Sequence, residues 1–229
     1  MFQNFNHRSH RLERLDTGDF SPAEYTLWQA EMRWINRLLG DTRALRLSLG
    51  KELRDFGSWP VSILDVGAGS GELLKTAGKM TGNNAAFLVG AELNADAARS
   101  IGGISGMFAV QCDALQLPFA DDSFDFVISS LFLHHLKDEQ AITLIREMSR
   151  VARCRFIVID LHRHAAAYYL YLTFGRLILQ RFTLDDGSLS IRRGFRPAEL
   201  TQLADLAGIR DAVVERKAAF RLVLSGRKF

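Results

Sequence analysis

Apolar positions along this chain follow two rhythms. Short runs rich in β-branched and aromatic residues recur at Val61–Val66, Ala86–Ala91, Met107–Gln111, Phe124–Ser129, Arg155–Asp160, Ala212–Arg216 and Ala219–Leu224. Longer stretches, with apolar residues three and four apart, lie between the early runs at Gly71–Met80, Ala95–Ile101 and Lys137–Ala152. This alternation predicts βα units and an α/β fold: a doubly wound, mostly parallel sheet of seven strands. Only Lys217 and Ala218 separate the last two runs, too few residues for a parallel crossover, so the sheet is predicted to end in a C-terminal antiparallel hairpin.

About sixty residues ahead of the first strand read as helical. Ser21-Pro22-Ala23-Glu24 has the N-cap serine, N1 proline and N3 glutamate of a capping box, and Leu27, Met32, Ile35, Leu38 and Leu39 then recur at helical spacing up to Gly40. A second helix is expected over Thr42–Leu53. The pair is too small to bury its own core, so it is expected to pack on the α/β body. A long insertion, Leu161 to Asp211, parts the fifth and sixth strands and carries one very apolar segment, Ala165–Leu179, and an expected turn at Asp185-Asp186-Gly187.

The glycine-rich stretch Asp65-Val66-Gly67-Ala68-Gly69-Ser70-Gly71 joins the first strand to a helix. Glycines permit a tight turn and close approach of a ligand to the main chain, and the helix N-terminus offers free N–H donors. The spacing is G-x-G-x-G rather than the G-x-G-x-x-G of dinucleotide sites, and an aspartate ahead of it suits a ligand with a cationic amino group better than a pyrophosphate. Glu92, at the end of the second strand, is placed to accept both hydrogen bonds of a ribose diol, with Leu93 beside it. Asp113, between Cys112 and Ala114, is placed to accept from an adenine amine.

Taken in order with Leu117-Pro118-Phe119, Phe124-Asp125 and His134-His135-Leu136, these motifs resemble the class I S-adenosylmethionine-dependent methyltransferases, in particular their quinone-biosynthesis-like (type 11) group. The resemblance covers Ser62 to Ala152. It implies a Rossmann-like methyltransferase fold whose sheet ends in an antiparallel hairpin, and S-adenosyl-L-methionine as cofactor. It further implies that Asp65 and the Gly67 to Gly71 turn hold the methionine part, Glu92 the ribose and Asp113 the adenine, while Ser129 and Leu131 line the donor pocket. The whole chain, 1–229, is then expected to be one domain: an N-terminal helical cap (1–58), a donor-binding core (59–160), an acceptor-side insertion (161–211) and the terminal hairpin (212–229).

Methyl transfer from a sulfonium is an in-line displacement, so the protein's part is to hold donor and acceptor together and exclude water. A base is needed only when the acceptor loses a proton. His162, just past the fifth strand on the edge where open α/β sheets bind ligands, is the expected base, with Asp160 beside it and Arg163 to orient the acceptor. His134 and His135 are the alternative, though the resemblance gives that pair a structural role. Tyr168 and Tyr171 share one helical face in the apolar segment and, with Trp34 of the capped helix, are the expected wall for an aromatic or lipophilic acceptor. The same segment, read as a dimer helix, would make the protein a homodimer. Interrupted by Arg176, it is too short to span a membrane, so no stable insertion is expected.

Charge and cysteine content narrow the partners. With 29 basic and 26 acidic residues the net charge of +3 leaves no electrostatic footprint for nucleic acid. Cys112 and Cys154 form no ligand cluster, so no metal is expected, and unpaired thiols fit a reducing compartment. The first twenty residues have no apolar run, which points to the cytoplasm rather than secretion. The expected function is methylation of a small aromatic, quinone-like or polyketide-like acceptor at oxygen. A nicotinamide-dependent oxidoreductase on a similar sheet and a non-catalytic protein of the same fold are the competing readings.

Overall fold

A computed structural model describes residues 4–56, 60–82 and 86–227. The ends of the expected cap and hairpin, at 1–3, 57–58 and 228–229, lie outside the described residues, as does the side chain of Leu38. Seven strands form one sheet in the order β3-β2-β1-β4-β5-β7-β6. They are β1 (Val61–Val66), β2 (Ala86–Glu92), β3 (Met107–Gln111), β4 (Phe124–Ser130), β5 (Ala152–Leu161), β6 (Val213–Lys217) and β7 (Arg221–Gly226). The first five pair in parallel and β7 runs antiparallel to both β5 and β6. The chain reverses direction across the sheet beside β1, so the carboxyl ends of β1, β2 and β4 open a crevice at that switch point.

Both faces of the sheet are covered, which is why β1 and β4 are buried almost without interruption. On one face α3 (Asp41–Phe56), α4 (Glu72–Met80) and α5 (Ala95–Gly102) pack Leu45, Leu49, Leu74 and Ile101 onto Ile63, Phe126 and Ile128. On the other, α6 (Asp138–Val151) and α9 (Pro197–Leu206) bring Leu144, Ile145, Met148, Leu200 and Leu203 against Val66, Val127 and Val158. The second N-terminal helix therefore packs on the body, where its length alone required it to go. The first, α2 (Pro22–Leu38), starts at the expected capping box, with Ser21 and Glu24 exchanging hydrogen bonds.

Most element ends shift by a few residues from the sequence pattern, and two turns differ from it in kind. The hairpin connection is Ala218–Phe220, three residues instead of two, and Ala219 and Phe220 both adopt left-handed backbone (φ 55° each). Side chains there cost of order 1 kcal/mol apiece, offset by tertiary contacts: the Phe220 carbonyl accepts from His162 N–H at 2.9 Å and its ring stacks on His164. The turn expected at Asp185-Asp186-Gly187 is instead interior to α8 (Arg181–Arg193). Asp186 spends its carboxylate on the backbone N–H groups of Arg14 and Leu15, at 2.9 Å each, which start the short α1 (Arg14–Thr17). Gly187 is where α8 meets α7 (Ala165–Gly175), and a Cβ there would stand 2.1 Å from the Tyr171 hydroxyl. The glycine serves close packing rather than a turn.

Candidate functional site

The turn after β1 is held by paired backbone bonds from Gly67 and Gly71, to Ala91 and Ala68 (2.9 Å each). Gly67 has φ 69° and the Phe132 ring lies 2.7 Å from where its Cβ would be, so only glycine fits. Gly69, at φ 54°, has open space on its outer side, while Ala68 is half-buried. Beneath the turn Asp65 is fully enclosed, and its Oδ2 has no hydrogen-bonding partner. Burial, with added repulsion from Glu92, pushes this carboxyl up to about 8, against a smaller opposing pull from the Leu74 N–H. An orphan buried acid of this kind matches a cationic group on a ligand entering above the turn.

Glu92 ends β2 and accepts from Gly69 N–H at 2.8 Å and Asn94 N–H at 3.1 Å, so its carboxylate faces the glycine turn with lone pairs to spare. Asp113 is exposed just past β3 and accepts from Leu115 N–H at 2.8 Å; Leu93 is exposed, and Cys112 and Ala114 are half-buried beside it. Burial and the nearby carboxylates of Asp113 and Glu92 push the Cys112 thiol up, so it is an inert wall. Leu131 is half-buried, with left-handed backbone (φ 52°) that aims the following Phe132 over the turn. Ser129 departs from expectation: its hydroxyl is buried and donates to the Val66 carbonyl at 2.8 Å, fastening β4 to β1 below the crevice. Ser130, half-buried with an unpartnered Oγ, is the polar group nearer the rim.

Residues 63–155 match the family described as a methyltransferase domain. Residues 63–155 are thus a methyltransferase domain, similar to those of the class I S-adenosylmethionine-dependent enzymes. Among curated relatives, a ubiquinone/menaquinone biosynthesis C-methyltransferase, UbiE, of Xanthomonas oryzae is 36% identical over 98 residues, which are 40% of this chain and 38% of that protein. A probable tRNA methyltransferase 9B of Homo sapiens is 37% identical over 90 residues, 39% of this chain and 18% of that one. The chain thus spans 38% or less of the length of these relatives. The same fold recurs in the plantazolicin methyltransferase BpumL in complex with SAH (TM-score 0.69, 13% identity, 91% of each chain). It recurs too in a SAM-dependent methyltransferase of Aquifex aeolicus (TM-score 0.63, 18% identity, 90% of this chain and 98% of that one). The cofactor of the methyltransferase domain is S-adenosylmethionine, and the orphan Asp65 carboxyl, the open side of Gly69 and the inward-facing Glu92 suit its ammonium, main chain and ribose.

On the acceptor side the structure regroups the expected residues. Asp160 is fully buried and pairs with His134, not His162: its Oδ1 lies 2.7 Å from His134 Nδ1 and its Oδ2 accepts from His134 N–H at 3.1 Å. Burial opposes its ionisation, but the His134 ring and the donated bonds win and hold the carboxyl below its ordinary range. Arg163, expected to orient the acceptor, is buried and fully engaged by Glu199 and by the carbonyls of Phe5, Asn6 and Gly194. It straps the N-terminal segment to the insertion. His162 sits on the hairpin flank, its pKa lowered by burial and then by repulsion from His164 and Arg216, two strands removed from β1.

The tyrosines also change roles. Tyr171 donates its hydroxyl to the Thr183 carbonyl at 2.7 Å within the α7–α8 contact, and burial pushes its pKa up, so it is scaffold rather than acceptor wall. Tyr168 packs edge-on against Phe5 and borders an open cavity of about 400 Å³ lined by Arg11, Leu12, Arg192 and Leu189 from the N-terminal segment and α8. Trp34 lies half exposed on α2, which packs on α3 and α8. The outward side of the apolar segment shows Leu170, Phe174 and Leu177 to solvent, and no helix among the described residues is long and apolar enough to cross a membrane.

A corner that sequence reasoning missed lies immediately after Phe132. Glu13, buried at 4% exposure, faces His134 across 4.0 Å from its Oε1 to Nε2. Asp16 accepts from or pairs with His135 Nδ1 at 2.9 Å and is bound by Arg193. Burial pushes Glu13 up to about 7, with His135 and Arg193 pulling the other way. Asp16, despite burial, is held well below the carboxylate range by His135 and Arg193. The only sequence sign was the acidic pair Glu13 and Asp16 in a basic N-terminal stretch, which carries no information about a partner more than a hundred residues away.

Proposed function

We propose that this protein transfers the methyl group of S-adenosylmethionine to an oxygen of a small aromatic or quinone-like acceptor. The observation that carries the reading is the joint geometry of Asp65, Glu92 and the glycine turn with the covered, polar corner that follows Phe132. The bound donor supplies an electrophilic methyl on a cationic sulfur. Asp65 would hold its ammonium, Glu92 its ribose and Asp113 its adenine, while Phe132 and the strapped N-terminal segment exclude water.

The acceptor side would be the cavity between the N-terminal segment and α8, where Tyr168 and Leu189 give apolar area and Arg11, Arg14 and Arg192 stand with Asp185 and Asp186 to orient polar groups of an acceptor. The proton of the acceptor oxygen would leave through the His134–His135 corner rather than through His162, which faces the hairpin. Methylation at carbon is the second reading, favoured by the printed activity of the UbiE relatives.

The test is calorimetry with S-adenosylhomocysteine and NADH, followed by transfer of labelled methyl from the donor to a panel of phenols, hydroxyquinones and their methyl ethers. One S-adenosylhomocysteine site per chain, silence toward NADH and labelled ether products support the proposal. Binding of NADH alone would replace it with the oxidoreductase reading. Donor binding without transfer to any extract component would replace it with the non-catalytic one, and label on ring carbon would select the second reading.

A further inference from the structure

The corner after Phe132 contains more than a base. Glu13, His134 and His135 present one ligand atom each, all within 4.8 Å of one another, and two of the three residues are buried. Metal-bound atoms in a four-coordinate site lie roughly 3.4 Å apart, given bonds of about 2.0–2.2 Å, so side-chain rotation of about 1 Å brings the set together.

The imidazoles are already oriented for that task. His134 turns its Nδ1 to Asp160 at 2.7 Å and His135 its Nδ1 to Asp16 at 2.9 Å. With the Nδ1 protons committed to carboxylates, each Nε2 keeps its lone pair free. Such carboxylate–histidine pairs surround metal ligands because they fix the tautomer and raise the ligand's basicity. Glu13 Oε1 is buried and has no hydrogen-bonding partner. The nearest guanidinium, Arg193, stands 3.5 Å from it and is already bound to Asp16 and to the carbonyls of His134 and His135.

Charge points the same way. Glu13, Asp16, Asp160 and Asp138 face Arg193 and Arg8 in this cluster, four carboxylates against two guanidiniums. A divalent cation would supply the positive charge that the buried, unpartnered Glu13 Oε1 lacks. Two nitrogens and one carboxylate with further positions open are the ligand set of a borderline transition ion such as zinc.

We infer that Glu13, His134 and His135 form a binding site for a divalent transition cation, which clasps the N-terminal segment to the carboxyl end of β4 beside the donor turn. The metal site stands independently of the proposed methyl transfer, in which the same histidines act as the proton route only in the metal-free protein. The absence of cysteine clusters gave no hint of it, because its ligands come from opposite ends of the fold.

The experiment uses the untagged full chain, stripped with chelator and titrated with Co²⁺ and Zn²⁺. Expected are one saturable Co²⁺ site per chain with visible d–d absorption, displaced by Zn²⁺, and a rise in thermal midpoint with Zn²⁺. Glu13→Gln and His135→Gln should weaken binding at least 100-fold, and Asp16→Asn by about 10- to 100-fold. Should those variants fail to fold, ¹⁵N NMR of the wild-type imidazoles decides: Zn²⁺ must move the Nε2 signals of His134 and His135 and leave those of His162 and His164 in place. No saturable site in the wild type, binding unchanged in folded variants, or Zn²⁺ on other histidines overturns the proposal. S-adenosylhomocysteine binding measured on the same metal-free protein reports separately on the donor site.

Discussion

Asp160 Oδ1 and His134 Nδ1 stand 2.7 Å apart with both side chains shut off from solvent. The pair links the end of β5 to the short 3₁₀ turn Leu133–His135 that follows β4, and so sets where Phe132 lies over Gly67. A contact that looked like two unrelated motifs in the sequence is one structural unit.

Removing one partner leaves the other buried without compensation. Asp160→Ala should cost about 3–5 kcal/mol of stability by urea denaturation. Because the folded-state pKa of Asp160 is lowered, its contribution is present above the unfolded carboxylate pKa and is lost as pH falls through the folded value. The wild type should therefore lose this increment only below about pH 4, and Asp160→Ala should show a flatter acid limb. An equally stable variant would reduce the pair to a passive contact.

Asp65 has the opposite sign. Its folded pKa is raised to about 8, so its contribution is complete below the unfolded pKa near 4 and is lost as pH rises toward 8 in the ligand-free protein. A cationic ammonium above it favours the ionised form, so binding must release a proton below pH 8. Affinity for S-adenosylhomocysteine should climb from pH 6 to about 8 and fall again as the α-amino group deprotonates. Asp65→Asn should remove the climbing limb. Calorimetry in buffers of different ionisation enthalpy counts the proton directly; no uptake or release would detach Asp65 from the ligand.

Glu92 has two tasks. It braces the turn through Gly69 N–H and is placed to accept from the ribose, so Glu92→Ala should lower donor affinity by one to three orders of magnitude, at about 1.5–3 kcal/mol per charge-assisted bond. Asp113→Ala, at an exposed site, should cost less. If the alanine at 92 left affinity unchanged, the ribose would have to bind elsewhere.

The two histidine groups separate by turnover. His162→Gln should keep donor affinity and most activity, since His162 lies against Phe220 and Arg216. His135→Gln should keep donor affinity and lose turnover about 10²- to 10⁴-fold. The reverse result would return the proton to the fifth-strand element.

Local rules were enough for the strands and the glycine turn of the first half of the sheet. Strand runs, the glycine turn, Glu92 and Asp113 are readable because each depends on neighbours in sequence: buried parallel strands are continuously apolar, and positive φ at Gly67 and Gly69 is written in the residue type. The hairpin followed from a connection too short for any alternative. The acceptor half was not readable in this way. Its contacts join Glu13 to His134, Asp16 to Arg193 and Phe5 to Tyr168 across most of the chain, and nothing in a local pattern selects one buried partner over another. Asp160 and His162 are two residues apart, a spacing that a continued strand would place on one side, but β5 ends at Leu161 and His162 N–H goes to the Phe220 carbonyl, so the carboxylate meets His134 without it. Tyr171 shared a helical face with Tyr168, but only the close approach of α8 at Gly187 decided that its hydroxyl would be spent inside the scaffold. Covalent neighbourhood determined the elements and the donor turn; long-range packing, which must satisfy every buried charge, decided which side chains meet at the site.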